Sequence, residues 1–217
     1  MMKQLVLMFL VAAMLSACGQ VQSNTEEKPV IADSAEFADA PRAVGQGEYG
    51  ELHVLPLTED GGVTESLGAP SCLGEETDYI SSGDYDVVFK RTDGTEASVG
   101  NLVETQIVSE GGSDEPRTLG RLVSEGVELY YFQPIQNKCR ADAVYVYVVS
   151  EEDAYQASFE VEGQLLDQFS LAPESEPYIE AGQLVLESTE DEQQGYTYMF
   201  KLEDKKLRLV KKEERGD

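Results

Sequence analysis

The chain has 217 residues, of which 42 are acidic and 16 basic, giving a net charge of −26. A surface this negative repels nucleic acid and anionic lipid headgroups, so neither is a good partner candidate. High net charge also accompanies disorder, but here 41% of the residues are hydrophobic and they recur with a regular rhythm over most of the chain.

The N-terminus opens with Lys3, continues through an uncharged apolar run from Leu5 to Leu15, and closes on Ser16-Ala17-Cys18. That is the plan of a secretory signal peptide, whose apolar core is too short for an ordinary membrane-spanning helix. The segment Leu15-Ser16-Ala17-Cys18-Gly19 resembles the lipobox of bacterial lipoproteins. The resemblance implies that residues 1–17 are removed as a signal peptide and that the Cys18 thiol carries a diacylglycerol group. Each buried CH₂ contributes about 0.8 kcal/mol, so two or more acyl chains would hold the protein on an extracytoplasmic membrane face almost permanently. No later stretch is long and apolar enough to cross a bilayer, which leaves the lipid as the expected membrane contact.

Residues 18–46 are polar, acidic and small, with Pro29 and Pro41 and no sustained period. They read as a flexible tether behind the lipidated cysteine. Residues 47–217 then form the folded part, an acidic β domain.

Along that domain the dominant signal is period two. In Glu51 to Leu57, His53 alternates with Leu52 and Val54 and reads as an ordinary strand residue. Tyr85, Val87 and Phe89 alternate with Asp86, Val88 and Lys90, and the run ends at Asp93-Gly94, a strong hairpin cue. Val127 to Phe132 and Ala143 to Val149 are apolar on nearly both faces, as central strands are; Val144, Val146 and Val148 would point one way, Tyr145 and Tyr147 the other. Tyr155, Ala157, Phe159 and Val161 form the dry face of a further strand. Gly163-Gln164-Leu165 recurs as Gly182-Gln183-Leu184, too short a match to define a repeat family.

Tyr196, Tyr198, Phe200 and Leu202, a turn at Glu203-Asp204-Lys205, and then Leu207 and Leu209 predict a terminal hairpin. The stretch from Lys201 to Asp217 is slightly basic, which fits either contact with lipid or an anionic wall polymer, or simply a final strand with a solvated end. No segment shows a convincing amphipathic helix. The expected fold is mostly β: an antiparallel sandwich, barrel or propeller-like meander.

With Cys18 assigned to lipid, Cys72 and Cys139 remain, and an even pair in an exported chain points to a disulfide. Closing a loop of that length could contribute roughly 4 kcal/mol in the chain-entropy model. Two cysteines and one histidine far apart in sequence do not make a zinc site.

The search for reaction chemistry yields little. There is no G-x-S-x-G elbow and no phosphate-cradling glycine loop, and His53 is the only histidine. Dozens of carboxylates make a glycosidase pair impossible to single out. Clustered acids suit calcium, which takes six to eight oxygens. The weak candidates are Asp84 and Asp86, with Glu75, Glu76 and Asp78 upstream, Glu151-Glu152-Asp153 in one turn, and Glu190-Asp191-Glu192 in another. Solvated acidic turns that keep the protein soluble explain the same residues. The sequence therefore predicts a membrane-tethered, non-catalytic module that binds an envelope protein or a wall component. A calcium-binding or calcium-stabilised module is the alternative, and a carboxylate-based glycan hydrolase is a third reading.

Overall fold

The computed structural model describes residues 40–57, 63–111, 115–189 and 194–215. Residues 1–39, with the expected leader, Cys18 and most of the expected tether, and Glu190-Asp191-Glu192 lie outside the described residues. Every regular element among the described residues is a strand.

The first six strands are β1 (Ala43–Gln46), β2 (Gly50–Pro56), β3 (Val63–Ser66), β4 (Tyr79–Arg91), β5 (Glu96–Ser109) and β6 (Arg117–Thr118). They form one sheet in the order β3-β4-β2-β1-β6, with β5 on the other side of β4. The β4–β5 hairpin turns at Asp93-Gly94, as its sequence predicts. Gly94 has φ +86°, and Asp93 Oδ1 accepts hydrogen bonds from the Thr95 N–H (2.9 Å) and hydroxyl (2.7 Å). Among the described residues the first strand begins at Ala43, inside the segment expected to be tether. The short run Ala43–Gln46 has little sequence signal, yet it pairs with β2 and buries Ala43 completely.

The remaining strands are β7 (Gly120–Ser124), β8 (Val127–Phe132), β9 (Asp142–Val149), β10 (Ala154–Val161), β11 (Gln164–Leu166), β12 (Phe169–Leu171), β13 (Tyr178–Glu180), β14 (Gln183–Thr189), β15 (Gly195–Glu203) and β16 (Lys206–Glu214). They build a ten-stranded sheet in the order β13-β14-β15-β16-β10-β9-β8-β7, with β11 on β10 and β12 on β9. The sheet curls into a nearly closed barrel, so that edge strand β13 lies against edge strand β7. Ser124 Oγ donates to Gly182 O (3.3 Å) across that seam. The architecture is thus a sandwich sheet docked on a barrel-like sheet, without propeller blades.

Pairing is not wholly antiparallel as expected. β1 runs parallel to β6, and β10 runs parallel to β16. The second pairing brings the end of the chain back beside the middle of the barrel. Ion pairs reinforce it, Lys205 with Asp153 and Arg208 with Glu160. Most of the basic C-terminal stretch is engaged in this way, with Lys201–Glu203, Lys211–Glu213 and Arg215–Glu187 as further pairs.

Two apolar cores follow from the alternation along β8 and β9. Tyr130, Phe132, Tyr147 and Val149 face the sandwich sheet and meet Leu52, Val54, Tyr85, Val87, Phe89, Leu102 and Ile107. Leu129, Val144, Val146 and Val148 face the barrel interior and meet Phe159, Phe169, Leu186, Phe200 and Leu207. Both strands are therefore dry on both faces, which is why their sequences lack polar alternation. Aromatic rings fill the barrel: Phe159 and Phe200 pack edge-on at 5.2 Å, and Phe169 packs on Tyr198 at 4.9 Å. Side chains fill most of this interior, as in other small barrels, so surfaces open to a ligand of any size lie outside it.

The recurrence of Gly-Gln-Leu has a local cause. Glu162-Gly163 and Ala181-Gly182 are two-residue turns with both φ positive, between 50° and 82°, and the following Gln-Leu starts the return strand.

Candidate functional site

The disulfide expected from the cysteine count is present. Cys72, in the loop between β3 and β4, is bonded to Cys139, in the loop between β8 and β9, with Cα atoms 5.4 Å apart. It ties the sandwich sheet to the barrel. Both half-cystines are solvent-exposed. Lys138 adds two contacts across the same junction: its N–H donates to Cys72 O (3.0 Å) and its Nζ pairs with Glu75 (3.2 Å).

Beneath the junction lies a cleft of about 930 Å³. Glu75, Asp78, Glu110, Glu115, Glu174 and Glu176 contribute to its walls, with Arg117 among them. Arg117 Nη1 donates to Val108 O (3.1 Å) and Pro134 O (2.7 Å), and the guanidinium sits 5.6 Å from the centre of the Phe132 ring. Burial pushes the Arg117 pKa down, against the opposing pull of Glu110 and Asp142. Through Nη1 and the Phe132 ring contact Arg117 acts as a structural cation that joins β5, β6 and the β8–β9 loop.

A second, more open groove of about 1220 Å³ runs between β5 and the barrel. Asn101, Leu102 and Val103 all line it. Consecutive residues of a strand point to opposite faces, so a groove that meets all three is reached from the strand's edge. That edge carries no further strand among the described residues. The opposite wall is the segment β11 to β12, held down by Gln156 Nε2 donating to Asp167 O (3.0 Å) and Ser158 Oγ donating to Asp167 Oδ1 (3.3 Å). Val103, Leu165 and Leu166 expose their aliphatic side chains here, at 70%, 55% and 38%. Amide and hydroxyl groups of Asn101, Gln156, Ser170, Ser188 and Thr189 share the groove.

Asp142 closes one end of the groove. Its Oδ1 accepts the Ala143 N–H (2.8 Å), while Oδ2 is buried without a partner among the described residues. Burial raises the Asp142 pKa, and the Ala143 N–H, Arg140 and Arg117 oppose it only in part.

The sequence-derived acidic candidates are separately engaged. Asp84 Oδ1 accepts the Glu104 N–H (2.7 Å) and Asp86 Oδ1 accepts the Ser98 hydroxyl (2.6 Å). Asp153 Oδ1 accepts the Ala154 N–H (3.0 Å) and Oδ2 pairs with Lys205. Glu151 and Glu152 present backbone carbonyls to the Arg91 guanidinium at 2.6 and 3.0 Å. Upstream, Asp78 caps the N–H groups of Glu75 (2.8 Å) and Gly111 (2.9 Å). Among the described residues, no three metal-ligating side chains come together. His53 sits on β2, an inner strand paired with β1 and β4, with Nε2 2.9 Å from Glu51 Oε2.

One buried acid escaped the sequence reading. Glu128 is 2% exposed. Its Oε1 accepts the Glu48 N–H (2.8 Å) and Arg121 Nε (3.1 Å) as well as Arg121 Nη2, and its Oε2 accepts the Tyr130 hydroxyl (2.8 Å). The cluster clasps the β1–β2 turn to β8. An acid inside the apolar run Val127–Phe132 was the available signal.

No family model, no curated protein and no solved structure matches the chain.

Proposed function

We propose that the chain is a bacterial lipoprotein, anchored through Cys18 on an extracytoplasmic membrane face, whose β domain binds an envelope component in the groove beside β5 without transforming it. The observation that carries the binding reading is the composition of that groove. It gathers Val103, Leu165 and Leu166, all exposed, around amide and hydroxyl groups, with Arg140, Asp142 and Asp167 as its charged residues. Apolar contact area with a few orienting polar groups is what small-molecule and peptide sites offer. The Cys72–Cys139 disulfide supports the compartment, because such bonds persist in oxidising surroundings.

Anchoring is tested by Cys18→Ala in the full-length chain, which is expected to move the protein out of the membrane fraction or leave it unprocessed. Binding is tested with a photo-crosslinking amino acid placed at Val103 or Leu166, with Val210 on β16 as an exposed reference. Adducts are expected from the first two positions and not from the third, and they should disappear in Asn101→Asp/Gln156→Glu. Equal adducts from all three positions, or none, would refute the groove.

A further inference from the structure

We propose that Cys72–Cys139 is a site of reversible reduction in the folded protein, open to an external dithiol, with the Cys72 sulfur as the atom attacked. Three observations lead there. Both half-cystines are exposed, whereas purely structural disulfides are usually covered. The bond joins two surface loops rather than two core strands, so breaking it leaves both apolar cores in place. And the chain neighbours of the two sulfurs differ: Lys138, ion-paired to Glu75 at 3.2 Å, and Arg140 flank Cys139, while Glu75 and Glu76 follow Cys72 on its own loop.

The flanking charges set the direction of the reaction. Neighbouring cations stabilise a thiolate and make it the better leaving group. A thiolate of the dithiol attacks Cys72 Sγ, forming a mixed disulfide there and expelling Cys139 as a thiolate, which takes up a proton. The second thiol of the reductant then displaces Cys72, which is protonated in turn. The dithiol ends as a disulfide, and the protein gains two thiols.

Reduction acts on the acidic cleft. The β8–β9 loop keeps independent anchors, with Pro134 O accepting from Val108 N (3.0 Å) and from Arg117. The β3–β4 loop has its own base in the Leu67 N–H to Asp78 O bond (2.8 Å) and the Gly111 N–H to Asp78 bond. Between the two loops, what remains is the Lys138 N–H to Cys72 O bond and the exposed Lys138–Glu75 pair, which contributes little. Without the covalent bond, the segment around Leu73 and Glu75 is free to swing away from the cleft wall it forms.

The test is done on the full-length protein in its own membrane or in detergent. Dithiothreitol is added and new thiols are counted by maleimide gel shift against the untreated protein, while tyrosine near-ultraviolet dichroism reports the fold. The expected result is second-order reduction, linear in dithiothreitol, insensitive to low urea, with the tyrosine signal retained. Glutathione should form its mixed disulfide on Cys72, read by mass spectrometry. Lys138→Gln/Arg140→Gln should slow exchange measurably, because a Cys139 thiol of higher pKa leaves more slowly. Reduced wild type and Cys72→Ser/Cys139→Ser should share a new protease cut between β3 and β4. A rate that plateaus at the unfolding rate or climbs with urea, or loss of the tyrosine signal on reduction, would overturn the proposal. A mixed disulfide on Cys139 would overturn the assignment of the attacked sulfur.

Discussion

Gly47 stands directly over Glu128. A Cβ built at Gly47 would lie 2.1 Å from Glu128 Oε2 and 2.0 Å from the Tyr130 hydroxyl oxygen, closer than any real carbon approaches. The absence of a side chain lets the β1–β2 turn come near enough for the Glu48 N–H to reach the carboxylate. Gly47→Ala must push the turn off the clasp. It is expected to destabilise the fold by about 2 kcal/mol, the usual scale of overpacking, read as a lowered urea midpoint.

The clasp also makes stability depend on pH. Burial alone would raise the Glu128 pKa, but the Glu48 N–H, Arg121 and Tyr130 outweigh it and hold the carboxyl below its ordinary value of 4.5. A depressed folded pKa means that the ionised form is favoured by folding. Its stabilisation is complete above about 4.5 and drains away as pH falls through the lower folded value. Glu128→Gln should cost about 2 kcal/mol at neutral pH, since charge-assisted bonds become neutral ones. The gap between variant and wild type should narrow below pH 4.5. A gap that stays constant down to the acid transition would remove Glu128 from the acid response.

Asp142 has the opposite sign. Its raised pKa means that the charged form is disfavoured by folding, so the penalty is present at neutral pH and vanishes below the unfolded value of 3.8. Asp142→Asn keeps the acceptor for the Ala143 N–H and removes the buried charge, although it also forfeits attraction to Arg117 and Arg140. Burial is the largest influence, so the variant should melt higher than wild type at pH 7 and lose that advantage in acid.

Tyr147 is wholly buried in the core between sheet and barrel, and its hydroxyl has no partner among the described residues. A buried hydroxyl left unpaired costs about 1–3 kcal/mol, while the ring contributes its full apolar contact. Tyr147→Phe should therefore leave stability unchanged or raise it by about 1 kcal/mol in urea unfolding. A clear loss would mean that the hydroxyl is engaged after all.

These residues show where the sequence is informative. Alternation is a property of neighbours, so Tyr85-Val87-Phe89, Tyr155-Ala157-Phe159 and the terminal hairpin were legible from the chain alone. The two-faced burial of β8 and β9 was legible for the same reason: Val144, Val146 and Val148 face one core, and Tyr147 and Val149 the other. The disulfide followed from counting cysteines. Parallel pairing of Ser158–Glu160 with Lys206–Arg208 was not legible, because distant segments meet without a turn signal between them. The groove was hidden similarly, since β5, the β8–β9 loop and the segment β11 to β12 each look like ordinary surface. Glu128 gave a sign, an acid in an apolar strand, but its partners Glu48 and Arg121 come from other strands and turns.

The acidic turns give the last prediction. Asp84, Asp86 and Asp153 each spend an oxygen on a backbone N–H, a hydroxyl or Lys205; the first two share β4, while Asp153 lies in the turn between β9 and β10. Calcium needs several oxygens converging on one point. The charge of −26 nevertheless attracts any divalent cation, and screening of self-repulsion stabilises the compact state without a site. Screening does not distinguish the two ions, so calcium and magnesium at equal millimolar concentration are expected to raise the melting temperature alike, to within about 1 °C. A calcium-specific rise of several degrees would show a real site. Asp84→Asn/Asp86→Asn and Glu151→Gln/Glu152→Gln would then tell which acids supply it.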